Sequence, residues 1–351
     1  MIGRTATMML LAGVLGAGLV ACGDDDGPAA LTLVVYDSFP DSGTLTDALD
    51  VFTEDTGIAV EVLTAGDTGT MVSKAVLTAG NPEGDVMFGV DNTFLSRVVD
   101  EDVFEPYEAA GLDQVPDELR ALVPDGEATP VDYGDVCVNY DKAWFAEHDL
   151  EPPADLEALA GPAYADLLVV QNPATSSPGL AFVMATIAEY GEDGWQDYWT
   201  RLRDNGVEVV DGWTEAYYER FSGAGDGSKP LVVSYGTSPP VEVVFADPPI
   251  DAATTAVVDT TCFRQVEFAG VLRGTEHTDE AHQLVDFLLS PTFQAELPLN
   301  LYVYPANADV ALPAVFTDNA TLPDDPATLD PATISADRET WISEWTDTVL
   351  R

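Results

Sequence analysis

The alternation of strand-like and helix-like segments over residues 31–90 constrains the fold more than any other feature of the chain. Apolar, β-branched runs at 31–36, 58–63 and 85–90 predict buried strands. Residues 41–56 and 70–79 lie between these runs and are predicted to be helices. Strands and helices that alternate at this spacing predict βαβ units, which form a mostly parallel sheet with right-handed crossovers.

The same pattern continues to the end of the chain, so an α/β fold is expected throughout. Further strands are predicted at 136–139, 167–171, 207–210, 231–235 and 265–269. Further helices are predicted at 180–190, 194–204, 278–289, 291–297 and 336–351. The stretch 318–337 is rich in Pro, Asp, Ala and Thr and is expected to lie over the surface. A chain of 351 residues is long enough for two domains, each with its own core.

The first 21 residues have the layout of an export signal. Arg4 precedes an apolar run over 8–20, and the run closes with Leu-Val-Ala-Cys at 19–22. A cysteine at the end of such a motif makes it a lipobox, so we expect acylation of Cys22 and an acylated tether over 22–30. The apolar run is too short to span a membrane, which needs roughly 20 apolar residues. The protein is therefore expected to be extracytoplasmic and lipid-anchored to the outer face of the cell membrane; the alternative is a plain signal peptide with an incidental cysteine.

The charge balance is strongly acidic, with 62 Asp and Glu residues against 13 Lys and Arg residues and a net charge of −49. Such a surface repels nucleic-acid phosphates and anionic lipid head groups. We therefore expect no nucleic-acid partner, and membrane contact through the lipid anchor only. The same charge attracts a cationic ligand, although dense carboxylates are also typical of surfaces solvated at high ionic strength.

Two cysteines remain after Cys22. Cys137 and Cys262 form an even pair in an oxidising compartment, which favours a disulfide; two buried thiols are the alternative. A bridge between them would close a long loop and stabilise the fold by roughly 4–5 kcal/mol on the chain-entropy account.

Seven loops lie where an open α/β sheet binds its ligand, at strand ends and helix starts. They are 36–39, 66–70, 91–93, 173–179, 212–217, 234–239 and 301–305. Aromatic, hydroxyl and carboxylate side chains dominate them, and none contains a basic residue. Aromatic faces attract a cation by roughly 0.5–2 kcal/mol each, and carboxylates supply the countercharge. The loops therefore predict a flat, cationic ligand, although each loop alone could be an ordinary turn or, for Trp213, a core anchor.

Taken together, motifs in these loops and elsewhere resemble the thiamine-binding periplasmic proteins of ABC importers, a branch of the type II solute-binding fold. The matching segments run in family order over the chain and include Tyr-Asp-Ser-Phe (36–39), Asp-Val-Met-Phe-Gly-Val-Asp-Asn (85–92), Val-Asp-Tyr-Gly (131–134), Gln-Asn-Pro-Ala-Thr-Ser-Ser-Pro-Gly-Leu (171–180), Gly-Trp-Thr-Glu-Ala-Tyr (212–217), Val-Ser-Tyr-Gly-Thr-Ser-Pro (233–239), Gln-Val-Glu (265–267) and Tyr-Pro-Ala-Asn (304–307). The resemblance implies two lobes, each a mixed, mostly parallel sheet flanked by helices. Lobe 1 would take 31–131 and lobe 2 would take 132–264, with 265–351 returning to lobe 1 and ending in a helix.

The resemblance also implies a function. The protein would bind thiamine, or a thiamine phosphate, in a cleft between the lobes and deliver it to an ABC permease with its ATPase. It would be a monomer and not an enzyme, with no cofactor and no bound metal. The candidate ligand-binding residues are Tyr36, Asp67, Thr68, Asp91, Ser176, Ser177, Trp213, Tyr235, Gly236, Thr237, Ser238 and Tyr302.

Individual positions carry individual roles in this comparison. Ser176 and Ser177 fall at the phosphate side of the family's site, and Trp213 falls on its stacking tryptophan. Tyr302 stands where the family usually has Trp, and Val241 where it usually has a second Tyr. The loss of one stacking face leaves open the choice among thiamine, its phosphates and a related pyrimidine.

Three alternatives remain. A ferric-ion binder of the same fold would use Tyr217 and Tyr218, but adjacent residues on a short helix point apart. A polyamine binder would also suit a cleft of carboxylates and aromatic rings. A thiamine-degrading enzyme of this fold would use a cysteine nucleophile, for which Cys137 is the candidate, and a catalytic cysteine must be a free thiol.

Overall fold

The computed structural model describes residues 30–351, so the predicted signal peptide, Cys22 and all but the last residue of the tether lie outside the described residues. Within these described residues, ten strands form one sheet: β1 Ala30–Val35, β2 Ala59–Thr64, β3 Val86–Asp91, β4 Phe104–Glu105, β5 Thr129–Asp141, β6 Leu168–Gln171, β7 Glu208–Val210, β8 Leu231–Tyr235, β9 Thr255–Leu272 and β10 Tyr304–Pro305.

Fourteen α-helices flank this sheet in the described part of the chain. They are α1 Thr44–Thr56, α2 Thr68–Leu77, α3 Leu95–Asp100, α4 Asp117–Arg120, α5 Lys142–Glu147, α6 Leu156–Leu159, α7 Ser177–Tyr190, α8 Trp195–Asp204, α9 Pro239–Val244, α10 Thr278–Leu288, α11 Pro291–Gln294, α12 Leu297–Asn300, α13 Ala314–Asn319 and α14 Pro331–Val349. A short π-helix covers Glu215–Arg220. Over residues 30–351, no helix combines the length and the apolar character needed to cross a membrane.

The strand order is β2-β1-β3-β9-β5-β8-β6-β7, with β4 beside β9 and β10 beside β5. One end of the sheet is parallel, since β1 pairs parallel with both β2 and β3. The other end is also parallel, since β6 pairs parallel with β7 and β8. Between them, β5 and β9 run antiparallel to each other and to their outer neighbours. The predicted α/β fold, with two mixed and mostly parallel halves, is confirmed.

The two long central strands join these halves. The ladder between β5 and β9 extends from Thr129 opposite Ala269 to Asp141 opposite Thr255. The sequence predicts only part of each strand, because buried Asp132 and Asp135 interrupt the apolar pattern of β5, and the polar residues at 259–261 and Arg264 interrupt that of β9. The predicted lobe boundaries, 131/132 and 264/265, fall inside these two strands and remain predictions.

Cys137 of β5 and Cys262 of β9 are joined by a disulfide, with their Cα atoms 4.2 Å apart. Both residues are buried, and the bond links positions 125 residues apart in sequence. It therefore fastens together the same two strands that connect the halves of the sheet.

The C-terminal helix is longer than the sequence analysis predicts. Asp330 caps it by accepting the N–H groups of Ala332 and Thr333, and Pro331 occupies the first turn. Residues 331–337 are thus helical and not part of an irregular surface stretch. Asp330 and Pro331 lie in a segment whose composition is typical of loops, so the sequence pattern does not identify them as the start of a helix. Buried Trp345 of this helix packs edge-on against Trp199 of α8 at 5.3 Å between ring centroids.

Candidate functional site

A cleft of about 430 Å³ opens between the two halves of the sheet, where β1, β2, β7 and β8 end. Its position agrees with the general rule that open α/β sheets bind ligands beyond the carboxyl ends of their strands. Among residues 30–351, the side chains that line the cleft include no Lys, Arg or His. Six of them are aromatic and four are acidic: Tyr36, Phe39, Trp213, Tyr218, Tyr235 and Tyr302, and Asp37, Asp41, Asp67 and Glu267. Such a surface is suited to a flat ligand that carries positive charge.

The structure brings most of the candidate residues together. Those that line the cleft are Tyr36, Asp67, Thr68, Ser177, Trp213, Tyr235 and Tyr302. The others are buried and do not line the cleft: Asp91, Ser176, Gly236, Thr237 and Ser238. Sequence reasoning did not select Asp37, Tyr218 or Glu267, which also line the cleft.

The indole ring of Trp213 is held from two sides. Tyr217 stacks on one face, with centroids 5.0 Å apart and an interplanar angle of 14°. The indole Nε1–H donates a hydrogen bond of 2.9 Å to Ser234 Oγ at the end of β8. A ring fixed in this way can present its second face to the cleft at little cost in side-chain entropy.

The two adjacent tyrosines after Trp213 do not point apart as predicted, because their rings pack edge-to-face with centroids 5.3 Å apart, but they differ in burial. Tyr217 is fully buried and donates its hydroxyl to Glu242 Oε1 at 2.9 Å. Tyr218 is 43% exposed and lines the cleft. Within residues 30–351, no group of three or more His, Cys, Asp or Glu side chains is arranged to hold a metal ion.

Tyr36 owes its position to a glycine on the neighbouring strand. Gly89 lies at an irregularity of β3 and has a φ of +99°, a conformation that L side chains rarely adopt. A Cβ atom at Gly89 would lie 2.2 Å from the Tyr36 ring. Because Gly89 has no side chain, the Tyr36 ring can lie close to the β3 backbone at the edge of the cleft.

Asp67 connects the two sides of the cleft. Its Oδ1 caps α2 by accepting the Thr68 N–H at 2.7 Å, and its Oδ2 accepts the Trp213 N–H at 3.4 Å. Burial raises the pKa of this carboxyl to about 7, and the nearby Asp37 carboxyl adds to the shift. Beside it, the Gly69 N–H donates to Thr175 O at 2.9 Å, so the two halves touch at this rim.

The other predicted loops form the wall behind the lining. Ser234 and Ser238 hydrogen-bond each other at 2.7 Å, and Thr237 donates its hydroxyl to the carbonyl of Tyr302. Tyr302 itself has a φ of 57°, in the left-handed region, which a tyrosine adopts only where the surroundings hold it.

The serines at the start of α7, Ser176 and Ser177, are buried, and Ser177 lines the cleft. The Ser176 hydroxyl faces the Asp67 carboxyl and the Ser177 hydroxyl faces the Asp91 carboxyl, where each partly offsets the rise in the pKa of the acid that burial causes. The first N–H groups of a long helix are a suitable environment for an anionic group.

Three buried carboxyl groups stand side by side across the sheet, and we call them the carboxyl row. Glu267 of β9 is opposite Asp91 of β3 on one side and opposite Asp132 of β5 on the other. Their residues are 5%, 0% and 0% exposed, and only Glu267 reaches the cleft lining. In the sequence, Asp132 and Glu267 look like ordinary polar positions within strands, so no local signal marks these two members of the row.

The environment of the carboxyl row disfavours the ionised form of its three carboxyl groups. Burial raises the pKa of Asp91 to about 6, because an ionised carboxylate loses its hydration there. Burial likewise raises the pKa values of Asp132 and Glu267 well above their ordinary range, and the neighbouring carboxyls of the row push them further up.

A two-part α/β sheet with a ligand-sized cleft between its halves defines the class of extracytoplasmic solute-binding proteins. The family of bacterial extracellular solute-binding proteins matches this chain over residues 81–325. The thiamine-binding periplasmic proteins of Salmonella typhimurium and Escherichia coli are each 30% identical to it, over 92% of this chain and 94% of theirs. A solved structure of a periplasmic thiamin binding protein superposes with a TM-score of 0.81 at 29% identity, covering 95% of this chain and 100% of that one.

The chain therefore belongs to the bacterial extracellular solute-binding protein family, and its resemblance to the thiamine-binding periplasmic proteins is confirmed. Its role is to bind, outside the cytoplasm, a solute that is to be imported. A ferric binding protein from Campylobacter jejuni superposes with a TM-score of 0.73 at 16% identity, which shows a shared fold only.

Proposed function

We propose that the cleft captures thiamine, or one of its phosphates, and that the loaded protein delivers it to an ABC permease and its ATPase. The observation that carries this proposal is a lining of aromatic and acidic side chains without a basic residue, around a tryptophan fixed by Tyr217 and Ser234. Thiamine combines a flat pyrimidine with a positively charged thiazolium, so both of its properties match the lining. The names of the relatives at 30% identity support the same ligand.

In this proposal Trp213 and an opposing aromatic ring, Tyr36 or Tyr302, sandwich the ligand rings. Asp67 or Asp91 balances the positive charge of the thiazolium ring. The phosphate of a phosphorylated ligand would lie at Ser176 and Ser177, beside the first N–H groups of α7.

Capture would require the two lobes to move. Residues 31–131 with 265–351 would close against 132–264 by a hinge motion within the long central strands. The rim contacts of Asp67 and Gly69 with the opposite half support such closure, since they join segments far apart in sequence. The closed, monomeric form would be the one that the permease recognises.

We further propose that the protein is held at the outer face of the cell membrane by a lipid on Cys22. The lipobox over 19–22 supports this assignment. Radiolabelled palmitate should enter the wild-type protein in cells, and Cys22→Ala should abolish the label. Equal labelling of both proteins would contradict the anchor.

An enzymatic role with Cys137 as nucleophile has less support. A nucleophilic cysteine needs a free, ionisable thiol, and the Cys137 sulfur is bonded to Cys262. The relatives at 30% identity are named as binding proteins.

A thermal-shift screen of the purified protein tests the ligand. The candidates are thiamine, its mono- and diphosphate, Fe³⁺ and putrescine. A ligand at 100 times its Kd stabilises the folded state by about 2.7 kcal/mol, so a true ligand shifts the melting temperature clearly. We expect a shift with thiamine or a thiamine phosphate; a shift with Fe³⁺ or putrescine alone would overturn the proposal.

A further inference from the structure

We propose that Glu267, supported by Asp91 and Asp132, supplies the countercharge to the positive ring of the ligand, and that a proton leaves the carboxyl row when the ligand binds. This inference rests on the proposed function, because it assigns the recognition of charge within the same cleft. It differs from the expectation that Asp67 faces the cation.

The arrangement of the carboxyl row is the first support. Side chains directly opposite each other on antiparallel strands have Cβ atoms about 4.5–5.5 Å apart, and like charges there destabilise a sheet. Glu267 has such a neighbour on both sides, Asp91 and Asp132. Three ionised carboxylates in this position would be very unfavourable, so the row is suited to hold protons until a cation arrives.

Unsatisfied oxygen atoms are the second support. Both oxygens of Asp132, Oδ2 of Asp91 and Oε2 of Glu267 are buried and lack a hydrogen-bond partner among residues 30–351. No ion pair of these described residues includes a member of the row. The nearest basic residue in sequence, Arg264, pairs instead with Asp135 at 2.7 Å. A buried carboxyl without a partner is costly and needs either a proton or a cation.

The comparison with Asp67 is the third support. Both oxygens of Asp67 already accept backbone N–H groups, from Thr68 and from Trp213. Glu267 lines the cleft, where its Oε1 accepts from Gln265 Nε2 at 3.1 Å and the Tyr36 hydroxyl lies beside its carboxyl. Among residues 30–351 no backbone N–H donates to the Glu267 side chain, so its carboxyl can turn toward a cation at less cost than that of Asp67.

The groups that face Glu267 act on its pKa in both directions: burial and the neighbouring carboxyls raise it, and hydrogen bonding with Tyr36 and Gln265 lowers it. Those on four other strands or strand ends are Tyr36, Asp91, Asp132 and Tyr235. Burial raises the pKa of Glu267, and the carboxyls of Asp132 and Asp91 raise it further. A cation in the cleft lowers that pKa, so the proton passes to solvent and binding strengthens as the pH rises.

Titration calorimetry at pH 6, 7 and 8 tests the inference on the purified protein. Two ligands are compared: thiamine, and its neutral thiophene analogue, in which carbon replaces the ring nitrogen that bears the charge. Runs in buffers with different ionisation enthalpies give the number of protons released. We expect the wild type to prefer thiamine by about tenfold or more, which corresponds to about 1.4 kcal/mol, and to release a proton only with thiamine.

Glu267→Gln removes the charge and keeps the shape of the side chain. We expect this variant to lose the preference for thiamine and the proton release, while it binds the neutral analogue within about threefold of the wild type. Glu105→Gln is the matched control, since Glu105 lies on β4 beside β9 but not in the cleft lining, and it should behave as the wild type. Asp132→Asn is a second variant, which should bind thiamine but with a weaker pH dependence.

The outcomes separate the two proposals. A wild type that binds neither compound contradicts the proposed function itself. A wild type that binds both equally and releases no proton leaves the function intact and overturns the role of the carboxyl row. An unchanged preference in a folded Glu267→Gln protein also overturns it.

Discussion

Removal of the Trp213 ring is the most direct perturbation of the proposed site. Trp213→Ala deletes the ring that stacks on Tyr217 and donates to Ser234, but it leaves both of those partners in the fold. Trp213 is not fully buried, so the substitution should cost binding much more than stability.

The expected loss follows from two contributions. A tryptophan face on a cationic ring is worth about 0.5–2 kcal/mol. Roughly 60 Å² of apolar surface covered by the ring adds about 1.5 kcal/mol at 25 cal/mol per Å². We therefore expect thiamine binding to weaken by roughly 2–3.5 kcal/mol, or roughly 30–300-fold in Kd.

Calorimetry with thiamine is the assay, and a circular-dichroism melt verifies the fold of each variant. Trp213→Phe keeps a ring above Tyr217 but loses the hydrogen bond to Ser234, so it should recover much of the affinity. Trp144→Ala is the matched control. Trp144 belongs to α5, stacks on His148 just after that helix, and lies outside the cleft lining. An unchanged Kd for a folded Trp213→Ala protein would refute the stacking role.

Three further predictions concern the bridge, the rim and the pH response. Reduction of the Cys137–Cys262 bond should lower the stability by roughly 4–5 kcal/mol because a long loop is released; a melt with unchanged Tm after verified reduction contradicts this. Gly69→Ala should weaken binding by preventing full closure of the lobes, since the added Cβ would lie 2.6 Å from a backbone oxygen across the rim. Small-angle X-ray scattering should then show no compaction of the variant when ligand is added. A compaction equal to that of the wild type would disprove the closure contact. Burial raises the pKa of Asp67 to about 7 and of Asp91 to about 6 from an ordinary value of 3.8, so the stability that these groups contribute without ligand is complete below about pH 4 and is lost as the pH rises from about 4 through 6–7. Melts in about 1 M salt, which screens surface repulsion, should show Tm falling over that window, and a rising Tm would contradict the shifts.

The local pattern of the sequence was sufficient to predict the outer parts of the fold. The strands at 31–36 and 231–235 and the helix at 194–204 have strong apolar periodicity, and the structure has them within a residue or so. The central strands were predicted too short. Their buried acids, such as Asp132 and Asp135, break the apolar pattern because their burial depends on long-range pairing that no local rule detects.

The candidate site shows the same division. Loops at strand ends were found because aromatic and hydroxyl residues cluster there, and Tyr36, Trp213 and Tyr302 all reach one cleft. Glu267 lies within a strand, where it looks like an ordinary polar position. The role of Glu267 depends on the strand register that puts Asp91 and Asp132 beside it. Register between strands distant in sequence is a property of the folded sheet, so the local sequence does not predict it.

The surface charge and the carboxyl row differ in what they can contribute to recognition. Exposed carboxylates act through solvent, where charges more than about 8 Å apart are screened at physiological salt. They can raise the encounter rate of any cation, so they do not discriminate one cation from another. The carboxyl row acts at short range in a buried, poorly hydrated wall, next to an aromatic ring that accepts only a flat partner. Selectivity for a flat cation therefore has to come from the row and the rings together, and not from the net charge of −49.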